Sequence, residues 1–258
     1  MKKTFAQFFQ IAMFVCLCIP ALSVLAAGPG DKPIKNIVFV HGAFADGSGF
    51  KKLYKILTEK GYHVTVVQNP LTSLKDDVDA TTRTLDKQDG PTVLVGHSWA
   101  GTVITEAGVH PKVASLVYIA AFQPDAGENT AQQSEGAPKM EGSGILPPDE
   151  NGILYFDRKQ FHKGFAADLS KEEADFMAAS QTPIYAACFA TPVTHAAWKT
   201  KPSYAVLSTE DHALSPWVQR KMYERAGDKV TAIKASHAVF ISQPEAVAKV
   251  IIAASLQQ

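Results

Sequence analysis

Residues Thr92 to Gly101 read T-V-L-V-G-H-S-W-A-G. A run rich in β-branched residues enters a Gly-x-Ser-x-Ala turn, and a helix-like pattern follows. A serine on a sharp turn between a buried strand and a helix is lifted clear above a sheet. That turn strains the backbone and brings chain close on both sides, so small residues are needed two before and two after the serine. Gly96 meets the first need. Ala100 stands where glycine is usual, and Gly101 follows directly. Taken alone, the pattern also fits a plain strand-ending Gly-Ser turn.

The surroundings repeat the strand-then-helix rhythm. Asn36 to Val40 reads as a continuously buried strand, ending in His41-Gly42-Ala43-Phe44. Phe50 to Lys60 has helical spacing, with Gly61 after it. A strand at His63 to Val67 and a polar amphipathic helix at Asp76 to Lys87 precede the central stretch. A helix from Trp99 to Val109 and a buried strand from Val113 to Ala121 follow it. After an interruption come a strand at Tyr204 to Leu207, a helix at Pro216 to Ala226 and a strand at Lys229 to Ala235. A last helix is expected from Pro244 to Ser255, capped by Ser242. This alternation predicts an α/β fold: a mostly parallel sheet with helices on both faces.

The interruption, residues 123–202, is rich in glycine, proline and polar residues. It carries short apolar helical pieces at Lys171 to Ser180 and Thr191 to Trp198, and no strong strand. It reads as a cap or lid insertion over the end of the sheet, not as an independent domain.

The 258 residues are 46% hydrophobic and 19% charged, with zero net charge. That composition suits one sizeable globular domain and offers no basic stripe for nucleic acid. Lys2 and Lys3 open the chain, no further charge appears before Asp31, and Ile11 to Leu25 is mostly apolar. With small residues near Ala26, this is the pattern of a secretory signal peptide. The apolar core falls short of the roughly 20 residues a membrane span needs, and Pro20 interrupts it. The expectation is removal of residues 1–26, export of residues 27–258 to the periplasm or medium, and no stable membrane insertion afterwards. Cys16 and Cys18 leave with the signal. Cys188 lies in an apolar run and reads as a small buried hydrophobe.

A serine hydroxyl needs a base within reach, and the base needs a carboxylate to hold its tautomer. Ser98, Asp211 and His237 occur in the order serine, acid, histidine, each just after a strand. Asp125, following the strand that ends at Ala121, is the rival acid. His41 reads as structural. Donors for an oxyanion are expected from the backbone of Trp99, after the serine, and of Ala43 in the loop after the first strand, with Phe44 second. Phe44, Trp99, Phe122, Phe161 and Trp198 are candidates to line an apolar pocket, Phe44 and Phe122 foremost. There is no H-E-x-x-H, no C-x-x-C and no phosphate-binding loop, so no metal or cofactor is expected.

Taken together, these motifs resemble the α/β-hydrolase superfamily. The tail S-H-A-V-F-I-S-Q-P-E is similar to small bacterial carboxylesterases and to the plant branch of methyl esterases and hydroxynitrile lyases. The resemblance implies cofactor-free hydrolysis, usually of a small-molecule ester, and leaves the oligomeric state open. The lyase branch typically carries threonine where this chain has Gly42, and a cyanide-holding lysine where it has Ala238. Ser98 also excludes the branches with an aspartate nucleophile. Lactone hydrolysis, perhydrolysis, C–C cleavage and a non-catalytic binding role remain as alternatives.

Overall fold

The computed structural model describes residues 33–138, 140 and 143–257. The expected signal peptide lies outside them.

Six strands form one parallel sheet. They are β1 (Asn36–Val40), β2 (His63–Val67), β3 (Thr92–His97), β4 (Val113–Ile119), β7 (Ser203–Ser208) and β8 (Lys229–Ile233), in the order β2-β1-β3-β4-β7-β8. All five residues of β1 and all six of β3 are buried, whereas β2 and β8, at the two edges, are largely exposed. Central strands covered on both faces must be apolar throughout; edge strands need not be.

The chain steps left from β1 to β2 through α1 (Lys51–Glu59). It steps right from β2 to β3 through α2 (Leu74–Asp86), and from β3 to β4 through α3 (Ala100–Ala107). Right-handed crossovers in opposite directions place their helices on opposite faces. Accordingly α1 packs with the last helix, α9 (Pro244–Leu256), while α2 packs with α3. The strand order reverses between β1 and β3. That puts the loops after these two strands side by side, at the point where parallel sheets bind ligands.

Between β4 and β7 the chain forms a two-stranded ladder of β5 (Ile153–Leu154) and β6 (Ile184–Tyr185), with helices α4 (Arg158–Phe165), α5 (Lys171–Ser180) and α6 (Ala186–Ala190). This segment hydrogen-bonds to the loops after three strands. Phe44 N–H donates to the Thr182 carbonyl, Tyr185 N–H to that of Leu71, and Ala238 N–H to that of Phe165.

Several boundaries differ from expectation. The helix expected over Thr191 to Trp198 is instead α6, ending at Ala190; Pro192 cannot continue it. The second amphipathic helix begins at Leu74, because the Ser73 hydroxyl accepts from Asp76 N–H as its N-cap. Ser242 does not cap the last helix. It closes the short α8 (Val239–Ser242), and Gln243 precedes Pro244 at the first turn of α9. The remaining helix, α7 (Pro216–Ala226), links β7 to β8.

The small residues around the serine have direct causes. A Cβ on Gly96 would fall 2.7 Å from the Ala100 carbonyl oxygen, and one on Gly101 only 2.0 Å from that of Phe122. The second obligatory glycine is therefore residue 101, and Ala100 is admissible. Gly101→Ala should destabilise the protein by about 2 kcal/mol or more, as overpacking against rigid backbone does. Its midpoint in thermal denaturation should drop by at least ~4 °C; an unchanged midpoint would refute the close approach.

Candidate active site

Ser98 sits at φ 55°, in the left-handed region that a non-glycine residue occupies only under constraint. Both of its peptide groups are held. Its N–H donates to the Ile119 carbonyl at the end of β4, and its carbonyl accepts from Gly101 and Phe122 N–H groups. The side chain is thereby aimed away from the sheet, with the residue 8% exposed. Among the described residues its hydroxyl has no hydrogen-bond partner. In unliganded hydrolytic sites such bonds are often long and tighten on substrate binding.

His237 follows β8 and is almost completely buried, as is Asp211 after β7. His237 Nδ1 lies 2.7 Å from Asp211 Oδ2. A carboxylate only accepts, so Nδ1 carries the proton and Nε2 keeps its lone pair. The carboxylate is saturated with donors: Ala213 and Leu214 N–H groups at 2.8 Å on Oδ1, and Gln219 Nε2 at 2.9 Å on Oδ2. Gln219 is fixed in turn, accepting from Ser208 N–H and donating to the Leu214 carbonyl. The rival Asp125 instead pairs with Lys199 at 2.5 Å, and Glu210 with Lys234 at 3.5 Å.

His97, the residue before the serine, joins the two halves of the site. Its Nε2–H donates to the His237 carbonyl at 3.0 Å, and the two imidazoles lie 4.6 Å apart. Burial, with the neighbouring His237, pushes its pKa well below the ordinary histidine value. His97 is thus a neutral donor. His41 uses both ring nitrogens: Nδ1 donates to the Gly42 carbonyl and Nε2 accepts from Asn69 N–H at 2.8 Å. It ties the ends of β1 and β2 together and has no lone pair left for a substrate.

The loop after β1 lies against the serine. A Cβ on Gly42 would be 2.7 Å from Ser98 Cβ. Among the described residues the N–H groups of Ala43 and Trp99 donate no hydrogen bond, whereas that of Phe44 is consumed by Thr182. Two free buried donors at the switch point can stabilise an oxyanion. The Trp99 side chain turns the other way. Its indole N–H donates at 2.7 Å to Asp77 Oδ2, whose partner oxygen accepts from Leu71 N–H at 2.8 Å.

A cavity of about 650 Å³ opens between the 120–202 segment and the loops after β4 and β7. Phe122, Ile145, Leu154, Phe189, Leu214 and Val218 line it, and none of its described lining residues is charged. Of the aromatic candidates, Phe122 lies on this cavity. Phe44 lines a separate one of about 220 Å³ with Met177 and Phe240. Phe161 is buried in an aromatic cluster with Phe156 and Phe165, and Trp198 donates to the Pro124 carbonyl. Cys188 is buried, and burial pushes its thiol up to about 12. No group of residues suited to hold a metal ion occurs among the described residues.

The sequence reading missed Gln219, Asp77 and Phe189, and it did not assign His97 a role. Their parts depend on contacts across 8 to 140 residues of chain. Only His97, inside the Gly96 to Ala100 turn itself, carried a local signal.

The Alpha/beta hydrolase family matches residues 37–250, so this chain belongs to that family. Among individual proteins, it is 26% identical over 239 residues to the alpha/beta hydrolase nvfD of Aspergillus novofumigatus, covering 83% of this chain and 94% of that one. A carbendazim hydrolyzing esterase of a Nocardioides species is 29% identical over 108 residues, 36% of this chain and 45% of that one. The fold matches a pyrethroid hydrolase of Sphingobium faniae with a TM-score of 0.73 at 22% identity, covering 86% and 97% of the two chains. It matches polyneuridine aldehyde esterase with 0.71 at 20%, covering 84% and 98%.

Asp77 generates a pH-dependent prediction. Burial raises its carboxyl pKa from the ordinary 3.8 to about 6, despite the Trp99 and Leu71 donors. A carboxyl raised on folding contributes stability fully present below pH 3.8 and lost as pH climbs through 6. Asp77→Asn abolishes that titration and, like the protonated carboxyl it replaces, accepts freely at one oxygen. From pH 4 to pH 8 wild type should therefore lose about 2–3 kcal/mol relative to the variant. Urea denaturation at the two pH values measures this; a pH-independent gap would contradict it.

Proposed function

We propose that the protein hydrolyses uncharged carboxylic esters through an acyl-enzyme on Ser98. The observation that carries this reading is the buried Asp211–His237 pair, linked through His97 to the adjoining strained serine. His237 Nε2 takes the Ser98 proton as the hydroxyl attacks the ester carbonyl. Asp211 keeps the imidazole in that tautomer and stabilises its charged form. The Ala43 and Trp99 N–H groups receive the oxyanion; one such donor is worth roughly 3 kcal/mol of barrier. His237 then protonates the leaving alcohol and activates the water that deacylates the enzyme. The esterase and hydrolase names of the relatives support ester cleavage. The uncharged cavity, which reaches the serine through Phe122 and is not lined by the triad itself, supports an apolar acyl or alcohol part. Gly42 argues against lyase chemistry here, because a side chain at that position would collide with Ser98 and the His97 carbonyl.

The test is turnover of p-nitrophenyl butyrate. Ser98→Ala should abolish it, and Asp211→Asn should lower kcat roughly 10³- to 10⁴-fold. Asp125→Asn should stay within about twofold of wild type, since such surface ion pairs are worth little. The opposite pattern, a large loss in Asp125→Asn and none in Asp211→Asn, would move the acid to Asp125. Full activity in Ser98→Ala would end the acyl-enzyme account.

We also propose export, on the charge and apolar pattern of the first 26 residues. N-terminal sequencing of the protein from a periplasmic fraction should begin at Ala27 or Gly28. Retention in the cytoplasm with Met1 in place would overturn it.

A further inference from the structure

We infer that Asp168, on the segment joining β4 to β7, is a positioning residue for His237. The inference rests on the hydrolase reading, because it concerns the same histidine.

The residues on both sides of His237 hang from a short stretch just after α4. Ser236 N–H donates to Asp168 Oδ2 at 3.1 Å, and the Ser236 hydroxyl donates to Asp168 Oδ1. Ala238 N–H donates to the Phe165 carbonyl at 3.1 Å. The Phe165 ring then meets the imidazole edge-on at 4.7 Å. On the sheet side, His237 is held only at its carbonyl, by His97, and at Nδ1, by Asp211. The backbone that sets where Nε2 points is therefore held from two sides: by His97 and, through the Ala235 carbonyl, Glu210 N–H at the sheet, and by Asp168 and Phe165 from the inserted segment.

A carboxylate is the group this geometry requires. Two donors of Ser236 converge on it, one per oxygen. An amide could accept at one oxygen and would set its own N–H₂ against the other donor. Ser236 is 2% exposed whereas Asp168 is exposed, so water can enter where the carboxylate is lost but cannot fix Ser236 in one geometry as the carboxylate does. Burial works to raise the Asp168 pKa, and hydrogen bonds from Ser236, with Ser242 and the backbone of Asp168 itself, outweigh it and hold the carboxyl below its ordinary value. The segment is thus part of the mount of the histidine, and a displacement of residues 165–168 carries His237 with it. A misplacement near 1 Å in such a group can cost on the order of 100-fold in rate.

Steady-state kinetics with p-nitrophenyl butyrate test this. Asp168→Ala should lower kcat about 10- to 100-fold with KM changed less than about threefold. Asp168→Asn should fall between the two. The rate of fluorophosphonate labelling of Ser98 should drop in parallel. Glu172→Ala, on the exposed start of α5, should keep wild-type kcat. If Asp168→Ala does not fold, Ser236→Ala removes the hydroxyl from the other side, keeps the N–H bond to Asp168, and must show a smaller loss of kcat in the same direction. Wild-type kcat in a folded Asp168→Ala or Ser236→Ala protein, with only the thermal midpoint lowered, overturns this inference alone. A wild-type protein that neither turns over the ester nor accepts the label overturns the hydrolase reading, and this inference with it.

Discussion

A serine held at φ 55° is the constraint on which the rest of the structure depends. Left-handed backbone at a non-glycine residue costs of order 1–3 kcal/mol and persists only where its surroundings over-determine it. Here they do. Ile119, Gly101 and Phe122 occupy both peptide groups of Ser98, and β3 is locked in parallel register between β1 and β4. The glycines at 96 and 101 follow from the same turn, since each makes room for a neighbouring carbonyl. So does the position of the loop after β1, because the strand order reverses beside β3 and brings Gly42 against the serine.

Around that turn the polar groups are sorted by how well each is compensated. Asp211 and Asp77 are both buried carboxylates on the rim of the sheet. Asp211 accepts from three donors besides the histidine, a fixed geometry that suits the orienting role proposed for it. Asp77 accepts from two, and its pKa is pushed up to about 6. It anchors the indole of Trp99, the residue that follows the serine. The histidines divide in the same way. His41 and His97 are spent on backbone contacts, and His237 alone of the three faces a carboxylate.

Most of this frame was legible in the sequence because its signals are local. Continuous apolar runs marked β1, β3 and β4, and Gly96-His97-Ser98 marked the turn. The order Ser98, Asp211, His237 then narrowed the acid and the base. What was not legible depends on distance. Nothing near residue 77 announces that its carboxylate will meet Trp99, and Asp168 gains its partner only when residues 68 positions apart are brought together. The misplaced helix at Thr191 to Trp198 and the misassigned cap at Ser242 have a simpler origin. Apolar spacing alone does not register a proline at the second position, and a short helix ahead of Pro244 absorbed the expected cap.

The central claim is that Ser98 is a nucleophile activated by His237. Mass spectrometry of the protein after brief exposure to a fluorophosphonate tests it most directly. The account predicts one adduct, on the peptide containing Ser98, formed rapidly in wild type and only slowly in His237→Ala. No adduct, an adduct on another serine, or one formed equally fast without the imidazole would contradict it.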